Sequence, residues 1–177
     1  SENFSVRFKQ ITEQYLDVFH FISYIAIKDL HDLRPNFRTV GRVPVFCIKE
    51  KHTDQWVPAS ELSSGMQIVL MVLTDVNSLP DGSIYLIDEY ENSLGVNAIN
   101  FFPSLLSQVE VDAQFVVTSH HPYIINNIPA EDWLVFHRQG LDVKIRYGDK
   151  NAEIYGRSKQ QRFIQLINDP FFVEGVE

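Results

Sequence analysis

The stretch Ile84-Tyr85-Leu86-Ile87-Asp88-Glu89 is a short apolar run that ends in two acids. A continuous apolar run of this length is typical of a strand buried inside a parallel sheet. Residues 114–118 form a second run of this kind, and helical patterns alternate with both runs. We therefore predict an α/β fold in which parallel core strands at 83–88 and 114–118 carry helices on their faces.

Periodicity and turn residues predict the remaining elements. Apolar residues at three- and four-residue steps indicate a helix over residues 10–33, which Arg34-Pro35 ends. Alternation indicates a strand over residues 44–51. The later elements are a buried helix at 66–79, a helix at 97–109, a hairpin of 133–137 and 143–147, and a final helix at 157–168.

The composition limits what kind of protein this is. With 177 residues, of which 45% are hydrophobic and 21% charged, the chain has the size and composition of one soluble α/β domain. No apolar stretch is long enough to span a membrane, and the single cysteine, Cys47, indicates a reducing compartment. A net charge of −8 argues against a broad nucleic-acid-coating surface. We therefore expect a cytoplasmic protein without a membrane partner.

The acid pair at the end of the first strand is a candidate site. Open α/β sheets bind ligands at the carboxyl ends of their strands, where Asp88 and Glu89 would lie. There an aspartate can hold Mg²⁺ and a glutamate can orient or deprotonate an attacking water. The alternative is an ordinary acidic turn, since strands often end in one.

The segment Leu62-Ser63-Ser64-Gly65-Met66-Gln67 precedes an apolar helix pattern. Small residues at a helix start leave backbone N–H groups and the helix dipole free to face an anion. The hydroxyls of Ser63 and Ser64 add two further donors. The alternative is a simple serine N-cap with a tight turn.

Two histidines, His120 and His121, directly follow the second strand. A histidine in this place can donate a hydrogen bond to a terminal phosphate and so sense its presence. The alternative is a structural histidine whose hydrogen bonds are satisfied within the fold. The residues themselves leave open which of the two would act.

In this order the three segments resemble the C-terminal lobe of the ABC-type ATPase superfamily, over about residues 59–138. Residues 62–67 are similar to its signature loop, residues 84–89 to its Walker B strand and residues 92–95 to its D-loop. Thr118-Ser119-His120-His121-Pro122 is similar to Thr-Thr-His-Ser-Pro of the family, which identifies His120 as the switch histidine.

Within the superfamily, residues 88–94 and 119–124 are closer to a soluble branch than to transporters. That branch includes the OLD-type, RecF-like and SMC-like ATPases, the AAA-family ATPases of DNA repair and anti-phage defence. Transporter subunits typically carry Pro-Thr-Ser-Ala after the acid pair, which this sequence lacks.

The resemblance implies that two heads enclose ATP, with the signature loop of one head contacting the nucleotide held by the other. Asp88 is then the Mg²⁺ ligand, Glu89 the general base and His120 the γ-phosphate sensor. The residues that would contact ATP or the opposite head are Ser63, Ser64, Gly65, Gln67, Ser93, Leu94 and Gly95.

Two residues depart from the family pattern. Met66 stands where many relatives have Gln or Glu, which bears on the contact assigned to Gln67. Gly95 replaces the Asp that is common at the end of the D-loop, which would weaken coupling between the heads. Neither change alters Asp88 or Glu89.

The phosphate-binding loop, Walker A or GxxxxGK[ST], is missing from this sequence. Because the family carries that loop in an N-terminal lobe, we expect a C-terminal part of a longer or split ATPase, inactive by itself. We expect residues 1–58 to lead into the signature, 59–138 to form the ATPase core, and 139–177 to supply a hairpin strand and helix.

The expected partners are the lobe with the phosphate-binding loop, a second head joined through ATP, and a nuclease effector or DNA. The expected role is ATP-driven DNA repair or anti-phage defence. Two other functions remain open, a non-catalytic dimerisation or regulatory module and the nucleotide-binding subunit of a transporter. The intact acid pair argues against the first, and the D-loop context argues against the second.

Overall fold

The computed structural model describes residues 2–36, 41–92, 94, 96–106, 111–151, 153–155 and 158–175. Helix α1 (Glu2–Val18) is followed by strand β1 (Ile22–Asp29) and the short helix α2 (Leu30–Leu33). The prediction of one helix over residues 10–33 is therefore wrong beyond Val18. Isoleucine and tyrosine favour strands, and a pairing partner distant in the sequence decided the outcome.

That partner is strand β2 (Pro44–Glu50), which confirms the strand predicted at 44–51. It pairs antiparallel with β1 on one side and with β3 (Trp56–Pro58) on the other. Cys47 and Ile48 of the central strand are fully buried. The region before the signature loop is thus a helix and a three-stranded antiparallel sheet.

Helix α3 (Ser64–Val76) confirms the helix predicted at 66–79 and begins two residues earlier. The burial predicted for this helix holds only for the face formed by Val69, Val72, Leu73 and Val76, and it is wrong for the other side, where Met71 is exposed. Helix α1 packs against α3, and the hydroxyl of the fully buried Tyr15 donates to the Met66 carbonyl over 3.1 Å. The start of α3 is therefore tied directly to α1.

Strands β4 (Ser83–Ile87) and β5 (Ala113–Val117) form the predicted parallel pair. On the inner face, the rings of Tyr85 and Phe115 meet edge to face and pack on the main core. The outer face was predicted to be buried, and this is wrong for the described structure, because Ile84 and Leu86 are 64% and 71% exposed. An apolar run specifies a strand but not what covers it.

The segment between these strands holds two short helices instead of the one predicted at 97–109. They are α4 (Val96–Ile99) and α5 (Phe101–Leu106), with Asn100 between them. The break is explained by Pro103, whose missing N–H is tolerated only in the first turn of a helix. Helix α6 (Pro122–Asn127) follows β5 closely.

The C-terminal part begins with the predicted hairpin, β6 (Leu134–Gln139) and β7 (Asp142–Tyr147), in which Gly140 takes a φ of 60° at the turn. The final helix is shorter than predicted, since α7 covers Arg162–Ile167 and α8 covers Pro170–Val173. This part has its own small core, formed by Ala130, Val135, Tyr155 and Leu166.

Asp169 is the buried acid of this second core. Burial by itself would raise the pKa of its carboxyl, but hydrogen bonds from Tyr155, the Phe171 N–H and Arg146 outweigh it and lower the pKa. The Tyr155 hydroxyl donates over 2.8 Å, and Arg146 forms an ion pair with the same carboxylate oxygen. This network holds β7 and α8 together.

The α/β fold class is confirmed: a parallel strand pair, flanking helices and an antiparallel hairpin. Within the described ranges, no helix has the length and apolarity needed to cross a membrane.

Candidate functional site

The two parallel strands end side by side, and their register brings the candidate residues together. Ile87 pairs with Val117, so Asp88 and Thr118 are the first residues beyond the paired strands. The Thr118 N–H donates to the Ile87 carbonyl over 2.9 Å, and the Tyr90 N–H donates to the Thr118 carbonyl over 3.1 Å. The backbone ladder therefore continues past the strands and fixes both strand ends.

The Thr118 side chain joins the two acids. Its hydroxyl donates to Asp88 Oδ1 over 2.5 Å and accepts the Glu89 N–H over 2.7 Å. The side chains of all three residues are exposed at the edge of the sheet. Asp88 is thus held in place while its carboxylate remains accessible to a ligand.

Glu89 adopts a strained backbone conformation, with a φ of +47°. The left-handed region is uncommon for a residue with a side chain and costs roughly 1–2 kcal/mol. Such strain persists only where the surroundings impose it, and it clusters at functional sites. Here the Thr118 hydroxyl holds the Glu89 N–H, and the Glu89 carbonyl accepts the Asn92 N–H over 2.8 Å.

Glu91 and His120 form a second link between the strand ends. Glu91 Oε1 accepts the backbone N–H of His120 over 2.7 Å and lies 3.2 Å from Nδ1 of its ring. The carboxylate is only 10% exposed, whereas the imidazole is 78% exposed. Burial alone would raise the pKa of Glu91, but hydrogen bonds from His120 and Ser119 and the nearby His120 charge lower it overall.

The neighbouring His121 has a different environment. Its Nδ1 accepts the Tyr123 N–H over 3.2 Å and so caps the start of α6. The residue is half-buried, and its own backbone N–H donates to the Ser119 hydroxyl over 3.2 Å. The ring of His121 is thus engaged in the fold, and the ring of His120 is the more accessible of the two.

The signature-like residues lie at the start of α3. Ser63 is the N-cap and accepts the Met66 N–H over 3.4 Å, while Ser64 is the first residue of the helix and is exposed. The Gln67 amide donates to the Ala59 carbonyl over 2.9 Å, so this side chain braces the preceding turn. A groove of about 850 Å³ adjoins this helix start, bordered also by the end of α1 and by α5.

The structure thus unites one group of predicted residues and leaves another apart. Asp88, Glu89 and His120 meet at one edge of the sheet through Thr118 and Glu91. Among the described contacts, none connects this group with the signature-like segment at the start of α3. Of the D-loop-like residues, Leu94 is half-buried and donates its N–H to the Glu91 carbonyl, whereas Ser93 and Gly95 lie outside the described residues.

Thr118 and Glu91 were not predicted as site residues. Both lie in segments that resemble the family, residues 88–94 and 118–122, but neither residue type by itself predicts a bridging role. The only sequence signal was the position of Glu91, three residues after Asp88 in the turn that follows the same strand.

The donor set at this edge suits Mg²⁺. Within the described part of the chain, no group of three or more His, Cys, Asp or Glu residues could hold a metal. Mg²⁺ usually needs fewer protein ligands than three, because one or two carboxylates bind it together with water and substrate phosphates. The exposed Asp88 carboxylate, oriented by the Thr118 hydroxyl, provides such a ligand.

Two solved structures with a similar fold come from work on SMC proteins. One comes from work entitled "Structural biochemistry of ATP-driven dimerization and DNA stimulated activation of SMC ATPases", with 13% identity, a TM-score of 0.57 and coverage of 86% of this chain and 91% of that one. Another is an SmcHead bound to the C-winged helix domain of ScpA, with 13% identity and a TM-score of 0.55 over 82% of this chain. This chain spans 44% of that head's length.

Sequence comparison identifies the family. The search of curated proteins gives no match. A family model described as "AAA domain, putative AbiEii toxin, Type IV TA system" matches residues 6–126, which is more than half of the chain and includes the strand ends described above. The chain therefore belongs to this AAA-domain family.

Proposed function

We propose that this chain is part of an ATP-hydrolysing head that dimerises around ATP. The observation that carries the proposal is the joined group of Asp88, Glu89 and His120 at the carboxyl edge of two parallel strands. Membership of an AAA-domain family and the fold of SMC ATPase heads agree with it. Backbone strain clusters at functional sites, so the strained Glu89 beside the hydrogen-bonded Asp88 supports a hydrolytic site over an ordinary acidic turn.

The proposed reaction is the attack of water on the γ-phosphorus of ATP, which gives ADP and phosphate. Asp88 would hold Mg²⁺, which neutralises charge on the phosphate oxygens when it is bound. Glu89 orients the water and takes its proton as the new P–O bond forms, while the bond from the γ-phosphorus to the β–γ bridging oxygen breaks and ADP leaves. His120 donates a hydrogen bond to a γ-phosphate oxygen.

The start of α3 would act on the other head. Ser63, Ser64 and Gly65 offer hydroxyls, backbone N–H groups and the positive end of a 13-residue helix to a phosphate. Because no loop of the GxxxxGK[ST] type occurs in this sequence, the main phosphate cradle would come from an N-terminal lobe. The proposed role is to drive a DNA-linked or defence-linked effector, in keeping with the toxin–antitoxin description of the family.

The test is ATP hydrolysis by this chain alone and by the chain joined to the lobe with the phosphate-binding loop. We expect hydrolysis only when both are present, and a loss of about 100-fold or more in Glu89→Gln. Glu131→Gln, which neutralises an exposed acid in a turn near the hairpin, is the matched control. Full activity of Glu89→Gln, or none in the joined protein, would contradict the proposal.

A further inference from the structure

We propose that Glu91 is a positioning residue for His120, fixing the orientation of its ring and supplying the counter-charge for its protonated form. This inference rests on the proposed ATPase function, in which His120 contacts the γ-phosphate. It assigns a role to an acid outside the Asp88-Glu89 pair.

The contacts of Glu91 explain how it would act. A single carboxylate oxygen meets both the backbone N–H of His120 at 2.7 Å and the ring Nδ1 at 3.2 Å. Since two atoms of the histidine are held by one nine-tenths-buried carboxylate, the side chain cannot turn without losing the ring contact. A histidine whose ring would otherwise be free in solvent is therefore given one orientation.

The proton count explains why an acid is needed. When the Nδ1–H group donates a hydrogen bond to Glu91, Nε2 is the ring atom left to contact a phosphate oxygen. A neutral ring carries a single N–H, so donation from both nitrogens requires the imidazolium form. The carboxylate of Glu91 balances that positive charge, which an amide in its place cannot do.

Glu91 also connects the sensor to the base. Its carbonyl accepts the Leu94 N–H over 3.1 Å, and it lies two residues after the strained Glu89 in the same turn. A change in the position of His120 on meeting phosphate would therefore act on the segment that carries the base.

The experiment compares Glu91→Gln, Glu91→Ala, His120→Ala and the double variant in the joined protein. We expect Glu91→Ala to lower kcat by about 10- to 100-fold with little change in KM for ATP. Glu91→Gln, which keeps an acceptor but not the charge, should recover only part of that loss. In the His120→Ala background, Glu91→Ala should add less than about twofold, because its effect passes through the histidine.

The proposal would be overturned if the kcat losses of Glu91→Ala and His120→Ala multiplied in the double variant, or if kcat were unchanged in Glu91→Ala. A second measurement keeps it separate from the proposed function. Long-range ¹H–¹⁵N spectra of this chain should show His120 protonated at Nδ1, with that state lost in Glu91→Ala and unchanged in Glu131→Ala. If the His120 ring kept the same protonation state in Glu91→Ala, the inference would be overturned even if hydrolysis were established. If that state were lost, the inference would be supported even if the joined protein were inactive.

Discussion

Replacing Thr118 by valine tests whether one hydroxyl organises the acid pair. Valine has nearly the shape of threonine but cannot donate to Asp88 Oδ1 or accept the Glu89 N–H, contacts of 2.5 and 2.7 Å. Because all three residues are exposed, water replaces much of what is lost. We expect the free energy of unfolding to fall by only about 1 kcal/mol.

The effect on hydrolysis should be much larger. The left-handed conformation of Glu89 costs roughly 1–2 kcal/mol, about as much as the hydrogen bond from its N–H contributes. Without the hydroxyl, Glu89 can relax to an ordinary φ, which moves its carboxylate. A displacement of about 1 Å in a reacting group can cost on the order of 100-fold, and we expect a loss of that size in kcat.

The assay is steady-state phosphate release at saturating ATP by the joined protein, with urea unfolding to measure stability. Thr118→Ser keeps the hydroxyl and should retain kcat within about threefold of the unchanged protein, less than 1 kcal/mol in the barrier. The reasoning is refuted if Thr118→Val hydrolyses ATP as fast as Thr118→Ser, or if both lose activity equally.

Three further predictions concern the rest of the chain. In the joined protein, Ser64→Arg should abolish ATP-driven dimerisation in size-exclusion chromatography, because a long side chain at this exposed helix start would block the opposite head. The unfolding midpoint should not fall, and surviving dimers would refute the signature assignment. Gly148→Ala should destabilise the C-terminal part by about 3 kcal/mol in urea, because the new Cβ would lie 1.8 Å from the Ala130 carbonyl oxygen; an unchanged midpoint would refute the clash. The pKa of Asp169 is lower in the folded chain, so the ionised carboxylate stabilises the fold fully above its unfolded pKa of about 4, and this stabilisation is lost as pH falls through the lower folded pKa. Asp169→Asn should therefore weaken the dependence of the melting temperature on acid pH. An identical dependence in Asp169→Asn would refute the role of this carboxylate.

Local patterns in the sequence were enough for several parts of the fold. Short apolar runs predicted β4 and β5, and the glycine turn predicted the hairpin of β6 and β7. The segment at 10–33 failed, because isoleucines at helical spacing also suit a strand once a partner is present. Which faces would be covered also could not be predicted, since Ile84 and Leu86 are apolar yet exposed.

The sequence by itself determined the residue types of the candidate site: two acids after one strand and a histidine after the next. Only the tertiary structure decided how they are connected, because Thr118 and His120 are 30 and 29 residues from the acids they bind. The parallel register of β4 and β5 creates these contacts, and the same register sets Tyr85 opposite Phe115 on the face that packs on the main core. A local pattern records which side chains are available, whereas a hydrogen bond between distant segments exists only once the strands are aligned.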